Sequence, residues 1–241
     1  MNNSNPLETS KRDIYIRNLF SSIANTYDLL NRVLSFGRDR YWRRFAIQKL
    51  SDVKHGIILD VATGTGDMAL EIVKRFNGIA KVVGVDFSEE MLRLAKRKIE
   101  KYGFQEKIKL YLNNAQSLPF EDEKFDAVLI AFGIRNIADK LKGLSEMRRV
   151  VKEGGKIIIL EFSKPNNNII KWFYHLYFVK ILPVIGGLLS KVKYAYEYLP
   201  ESVLEFPETE DFINLMKKAG FKDIRYDILT YGVVTVYVGI R

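Results

Sequence analysis

From Lys11 to Leu50 apolar residues recur at helical spacing, with Ile14, Leu19, Phe20, Ile23 and Tyr27 set among polar positions. Ser35 and Gly37 interrupt the pattern, and a second helix is expected to begin near Asp39. The period then changes. Short apolar runs at Ile57–Val61, Lys81–Asp86, Ile108–Leu112, Phe125–Ala131 and Lys156–Phe162 read as strands. Helical patterns separate several of them, at about Asp67 to Phe76, Ser88 to Gly103 and Ala138 to Val151. In the second of these, Ser88 suits an N-cap, Glu89 and Glu90 suit the positive helix end, and Met91, Leu92, Ala95 and Ile99 form the buried stripe. A helix near Glu210 to Ala219, closed by Gly220, precedes strands near Ile224 to Thr230 and Val233 to Ile240, joined at Tyr231-Gly232. This alternation predicts an α/β fold with a doubly wound, mostly parallel seven-stranded sheet. Residues 1–50 would form a polar tail and a helical arm free to fold over the sheet, and 51–241 the main domain.

One stretch breaks the alternation. Between Asn168 and Leu199 lies a run rich in Trp, Phe, Tyr, Ile and Leu, interrupted by Lys171, His175, Lys180 and Pro183. It is too broken to span a bilayer, which needs roughly 20 apolar residues. An ordinary helical cap would account for it, but so much aromatic surface favours a helical lid (165–200) that lines a greasy pocket and touches the membrane surface.

The chemistry concentrates where the first strand ends, at Asp60-Val61-Ala62-Thr63-Gly64-Thr65-Gly66-Asp67. Strand, tight glycine turn and helix N-terminus are the parts of a nucleotide pocket in α/β proteins. Gly64 and Gly66 let the backbone approach a ligand closely. The spacing alone also fits a dinucleotide fingerprint, so charge has to decide. A pyrophosphate would be repelled by carboxylates at Asp60 and Asp67, whereas S-adenosylmethionine, with an ammonium and a sulfonium, would be attracted. Asp86 ends the next strand, where an acid accepts hydrogen bonds from ribose hydroxyls. Surface acids around an ordinary turn are the competing reading, and three acids together weigh against it.

Composition narrows the choice. The chain of 241 residues has no cysteine and only two histidines, His55 and His175. Disulfides, thiolate metal sites and cysteine nucleophiles are excluded, and a histidine-rich metal centre is not expected. The first ten residues lack an apolar signal core, so a cytoplasmic protein is expected. Net charge is +9, and residues 11–50 hold nine Lys or Arg against three Asp. Nucleic acid, an anionic membrane face and an acidic ligand all suit that surplus.

Further stretches make the identification narrower. Tyr27-Asp28, Asn31, Ser35-Phe36-Gly37, Arg40 and Trp42 are followed by the Asp60–Asp67 turn and by Asn114-Ala115-Gln116-Ser117-Leu118-Pro119-Phe120. Then come Phe132-Gly133-Ile134-Arg135-Asn136, the run Arg149 to Gly155, and Tyr196-Glu197-Tyr198-Leu199-Pro200-Glu201-Ser202. On these the chain resembles the C-methyltransferases of ubiquinone and menaquinone biosynthesis from about Tyr27 onward. Two differences stand out: Arg38-Asp39 where the family often has a histidine, and Ala131 where relatives often have serine. The resemblance implies a class I, Rossmann-like methyltransferase fold. It implies that Thr65, Asp86, Asn114 and Ala115 contact S-adenosylmethionine; Asp60, Gly64, Gly66 and Phe87 complete the expected cofactor set. The acceptor would be a prenylated quinol, most simply demethylmenaquinol, with peripheral contact at the inner membrane face and a homodimer left open.

Methylating a ring carbon needs a phenolate, and an unperturbed phenol has a pKa of about 10. Arg135, in the loop after strand four, could stabilise that charge, with Asn136 orienting the ring oxygen and Tyr27 assisting from the arm. An ion pair of purely structural use is the alternative for Arg135. His175 has a suitable pKa for a base, but a lone histidine in an apolar cap is more often packed. A nucleic-acid methyltransferase is disfavoured, because cysteine chemistry is impossible and no basic–aromatic platform is visible. A methyltransferase for another lipophilic or small substrate, or a lipid-binding module without catalysis, are the remaining readings.

Overall fold

The computed structural model describes residues 11–53, 55–165 and 194–241. Most of the expected lid, including His175, and the ten-residue tail lie outside them.

Fourteen elements follow the predicted alternation: α1 (Lys11–Leu34), α2 (Arg38–Gln48), β1 (Ile57–Val61), α3 (Asp67–Arg75), β2 (Lys81–Asp86), α4 (Glu89–Tyr102), β3 (Ile108–Leu112), β4 (Phe125–Ala131), α5 (Lys140–Val150), β5 (Val151–Phe162), α6 (Tyr194–Glu205), α7 (Thr209–Lys218), β6 (Lys222–Leu229) and β7 (Val234–Ile240). The strands form one sheet in the order β3-β2-β1-β4-β5-β7-β6. All neighbours are parallel except β7, which runs antiparallel to both β5 and β6. The strand order reverses between β1 and β4, and open α/β sheets bind ligands at that switch point.

Central strands are buried on both faces. Leu59, Val61, Val128 and Ile130 pack into one core, Ile58, Ala127 and Leu129 into the other. Each of the Leu, Ile and Val side chains among them contributes about 1.5–3 kcal/mol relative to exposure. One boundary differs from expectation. Glu153-Gly154-Gly155 reads as a turn, yet β5 runs through it from Val151. The chain's last residue supplies the reason: Arg241 N donates to Gly155 O at 3.0 Å, and its guanidinium donates to Arg149 O and Val151 O.

The arm is tied down along its length. Ile16, Leu19, Ile23 and Leu30 form a small core with Tyr198, and half-buried Phe20, Tyr27 and Phe87 pack against it. Ser21 donates to Glu90 Oε2 at 2.7 Å, fixing α1 on the first turn of α4. The α1–α2 corner is built around a buried acid. Asp39, 3% exposed, accepts hydrogen bonds from Ser35 Oγ and Arg32 Nη1, both at 3.1 Å. Beyond the corner, buried Trp42 donates its indole N–H to Thr230 Oγ1 at 2.7 Å. Among the described residues no helix is long and apolar enough to cross a membrane.

Candidate functional site

Beyond the carboxyl ends of β1 and β4 lies a cleft. Its floor is made of strained backbone. Ala62 (φ 52°) and Phe132 (φ 57°), which directly follow the two strands, both lie in the left-handed region. Non-glycine residues held there cost of order 1–3 kcal/mol each and cluster at functional sites. Gly133 comes next, and a Cβ on it would stand 2.6 Å from the Ala62 Cβ, so only glycine lets these loops meet. Gly66 (φ 79°) does the equivalent at the start of α3, where an added Cβ would press on Ala95 at 3.1 Å.

Polar groups gather at the β2–β3 end. Asp86 accepts the backbone N–H of Gly64 at 2.8 Å on one oxygen and that of Ser88 at 2.9 Å on the other. Burial raises its pKa from 3.8 to about 6, against the pull of those amides. Asn114 Oδ1 accepts from the Gln116 backbone at 3.0 Å, and its amide nitrogen meets no described residue. The Gln116 side chain reaches Asp13 Oδ2 at 3.3 Å, which joins the start of the arm to the cleft wall. Aromatic and apolar side chains line the cleft as well: Phe20, Tyr27, Phe87, Met91, Phe132 and Ile137. Asn136 lines it too. Tyr198 donates to Asn136 Oδ1 at 2.9 Å, which leaves the amide N–H pair for the cleft.

Seven of the eleven expected site residues therefore share one cavity wall: Tyr27, Gly64, Asp86, Phe87, Asn114, Ala115 and Asn136. Four do not line it. Gly66 shapes the turn from beneath. Asp60 is 1% exposed and receives the Thr63 hydroxyl at 2.5 Å. Burial pushes its pKa up to about 7, so it is not a fixed anion facing a ligand. Thr65 is 2% exposed, and its hydroxyl is engaged by Asp28 Oδ1 at 2.5 Å and Lys98 Nζ at 2.9 Å. Arg135, 4% exposed, pairs with wholly buried Glu161 at 2.7 Å and donates to Phe132 O at 2.7 Å. Burial opposes its charge, but Glu161 with Tyr27 and Tyr198 outweighs that and raises its pKa. Its guanidinium thus braces the loop from behind, and the expected direct contact with an acceptor is not what the geometry shows.

The charge argument also needs correction. Asp67 opens away from the cleft, onto a second groove, and pairs with Lys98 at 2.6 Å. Burial pushes its pKa up, yet Arg43 and Lys98 together hold it below 3.8. Of three acids credited to the pocket, Asp86 alone lines it. Asp13 and Phe20 also line the cleft and were missed in the sequence. They precede Tyr27 by fourteen and seven residues, a spacing that keeps all three on one helix face.

A model of the ubiE/COQ5 methyltransferase family matches residues 8–241. The chain is 50% identical over 232 residues to a ubiquinone/menaquinone biosynthesis C-methyltransferase UbiE of Geobacter sp. (strain M21), covering 96% of this chain and 98% of that protein. It is 48% identical over 223 residues to a demethylmenaquinone methyltransferase of Thermus thermophilus, covering 92% and 100%. Among solved structures, an S-adenosylmethionine-dependent methyltransferase from Thermotoga maritima superposes with a TM-score of 0.67 at 20% identity, over 93% of this chain and 99% of that one. A phosphoethanolamine N-methyltransferase from Haemonchus contortus, solved with S-adenosylhomocysteine, gives 0.69 at 18% identity, over 97% of this chain and 60% of that one. At those identities the likeness is of fold.

Proposed function

The chain belongs to the ubiE/COQ5 methyltransferase family, and from that premise we propose that it methylates the ring carbon of demethylmenaquinol at the cleft between β1 and β4. It is an S-adenosylmethionine-dependent C-methyltransferase of quinone biosynthesis. The observation that carries the site assignment is the lining of one cleft by Asp86, Asn114 and Asn136 together with the rings of Phe20, Tyr27, Phe87 and Phe132.

The residues present suit the donor. Asp86 and Asn114 both line the cleft; in this reading Asp86 accepts ribose hydroxyls and the Asn114 amide bonds the adenine edge. When bound, S-adenosylmethionine supplies an electrophilic methyl group. Asn136, oriented by Tyr198, donates to the ring oxygen as negative charge develops there. Tyr27 and Phe20, whose own rings meet edge to face with centroids 5.9 Å apart, line the cleft and exclude water, which strengthens each polar contact. The Arg135–Glu161 pair keeps the Phe132–Asn136 loop in place, and much of the rate comes from holding the two reactants in line. A cytoplasmic enzyme with peripheral access to a bilayer-borne quinol fits this reading.

The test is single-turnover transfer from labelled donor to reduced demethylmenaquinone and to its benzoquinol counterpart. Asn136→Ala should slow the chemical step by about 10²–10³ with donor affinity unchanged, the usual effect of losing one oxyanion donor. An unaffected rate would remove Asn136 from the mechanism, and preference for the benzoquinol would overturn the acceptor.

A further inference from the structure

Four helices, α1 to α4, line the second groove, the one onto which Asp67 opens. Methyl transfer does not use it, and no residue lines both this groove and the cleft. Its charges follow helical spacing: Arg40, Arg43 and Arg44 share one face of α2, and Lys98 and Lys101 share one face of α4. Seven basic side chains there face four carboxylates. Every carboxylate is already held. Lys98 takes Asp28 and Asp67 at 2.5 and 2.6 Å, Arg32 takes Asp39 at 3.1 Å, and Arg44 takes Glu71 at 2.7 Å.

Four cations are left over. Among the described residues, Arg40, Arg43, Lys74 and Lys101 form no ion pair with a carboxylate. Arg40, Lys74 and Lys101 are exposed. Lys74 rests its ammonium on the Tyr102 ring, 3.4 Å from the centroid, and Arg43 has its Nε buried without an acceptor. The four come from three helices, α2, α3 and α4, so only the packing of the fold gathers them. Like charges collected in a concave space repel, and an entering anion relieves that standing cost. Among the described residues that line the groove, Leu70 and Tyr102 alone are apolar or aromatic. A ligand is therefore selected there by charge and hydrogen bonds, not by an apolar body.

We propose that this groove is a binding site for a diphosphate, free or as the ester of a small molecule, with Arg40, Arg43, Lys74 and Lys101 as its cations. Arginine forks bond phosphoryl oxygens in pairs, and the lysines add compact charge. A single phosphate carries about 1.5–2 negative charges near neutral pH, too few for four open cations. Two linked phosphoryl groups bring more charge and more acceptor oxygens. A polynucleotide would call for rings on which its bases stack. The one ring in the groove, Tyr102, already carries Lys74 on its face. Because the groove and the cleft share no lining residue, this site stands apart from the quinol reading.

Titration calorimetry of the full chain in magnesium-free buffer, with inorganic pyrophosphate, methyl diphosphate and orthophosphate, tests the proposal. A diphosphate should bind about tenfold tighter than orthophosphate or better, and salt should weaken it. Binding of methyl diphosphate assigns the site to an ester, and binding of pyrophosphate alone assigns it to the free anion. Arg40→Ala and Lys101→Ala should each weaken binding about tenfold, the low end for a hydrogen bond to a charged group. Glu71→Gln frees Arg44 and should tighten binding about threefold, a gain that loss of folding cannot imitate. Arg225→Ala, on the edge strand β6, removes the same charge elsewhere and should leave binding unchanged. Circular dichroism should show all four variants folded. Equal losses for Arg225→Ala and Arg40→Ala, equal affinity for all three anions, or no binding at millimolar pyrophosphate would overturn the proposal. So would displacement of pyrophosphate by single-stranded oligonucleotides whose affinity rises with length, which would identify a nucleic-acid surface. The assay contains no quinol, so its failure leaves the proposed methyl transfer standing.

Discussion

On the cleft side of the Gly64–Asp67 turn a buried carboxylate, Asp86, stands among backbone amides, with no cation of a described residue within ion-pair distance. On the groove side, a few residues away, Asp67 and Asp28 share Lys98, and the surplus charge is positive. The same short turn thus presents opposite electrostatic faces to two spaces. A cationic ligand is drawn to the first and a phosphate to the second. Lys98 separates them, because it neutralises the acids that would otherwise extend the negative field across both.

The sharpest way to break this contrast is to remove the acid that the cleft holds at the turn. Asp86→Asn should weaken donor binding about 100-fold, the loss of two hydrogen bonds to a charged acceptor at ~1.5–3 kcal/mol each, offset by what a neutral amide can still accept. One of the Gly64 and Ser88 amides would also lose its partner, at ~1–3 kcal/mol of stability. Titration calorimetry and thermal melting separate the two effects. A donor affinity within threefold of the parent would mean that the cleft does not depend on Asp86.

How much of this was legible in the chain follows from what each residue type reports. Apolar periodicity placed seven strands and their order of alternation, since burial on both sheet faces demands continuous runs such as Phe125–Ala131. Glycine spacing located the turn. Charge did not reveal its own direction. Asp60, Asp67 and Asp86 look equivalent as letters, yet one lies under the turn, one faces the groove and one faces the cleft. Nothing local in the sequence distinguishes them, because Lys98 and Arg43, which decide the matter, come from other helices. Arg135 shows the same limit. Its partner Glu161 lies on the next strand, and only the sheet register brings the two together.

A milder perturbation is pH. The Asp86 pKa is raised to about 6, so the free protein holds a proton that a cationic donor disfavours. Donor affinity should rise with pH through 6 and level off near 7. Between pH 5 and 7 the gain is about tenfold if the ionised form alone binds. Stability moves the other way. Asp60, raised to about 7, stays protonated in the fold after its unfolded counterpart has ionised near pH 4, so folding stability falls as pH rises from about 4 to 7. Calorimetry with the donor and thermal melting across that range should therefore slope in opposite senses. Parallel slopes would place the titrating group elsewhere.

The smallest expected effect is the most discriminating. Asp67 was a natural candidate for attracting the sulfonium, but it faces Lys98 and Arg43 across a different space. Asp67→Asn should leave Lys98 bonded to Asp28 and to the Thr65 hydroxyl, so the arm stays attached to the turn. Donor affinity should change less than about twofold, and stability by no more than ~1 kcal/mol, the value of a partly exposed pair. If instead donor binding fell tenfold, the field of Asp67 would have to cross the turn despite Lys98. The two faces would then act as one site, and the excess positive charge of the groove would weaken the donor directly. A null result here, beside a large one for Asp86→Asn, would show that direction of approach rather than the number of acids selects the ligand at this turn.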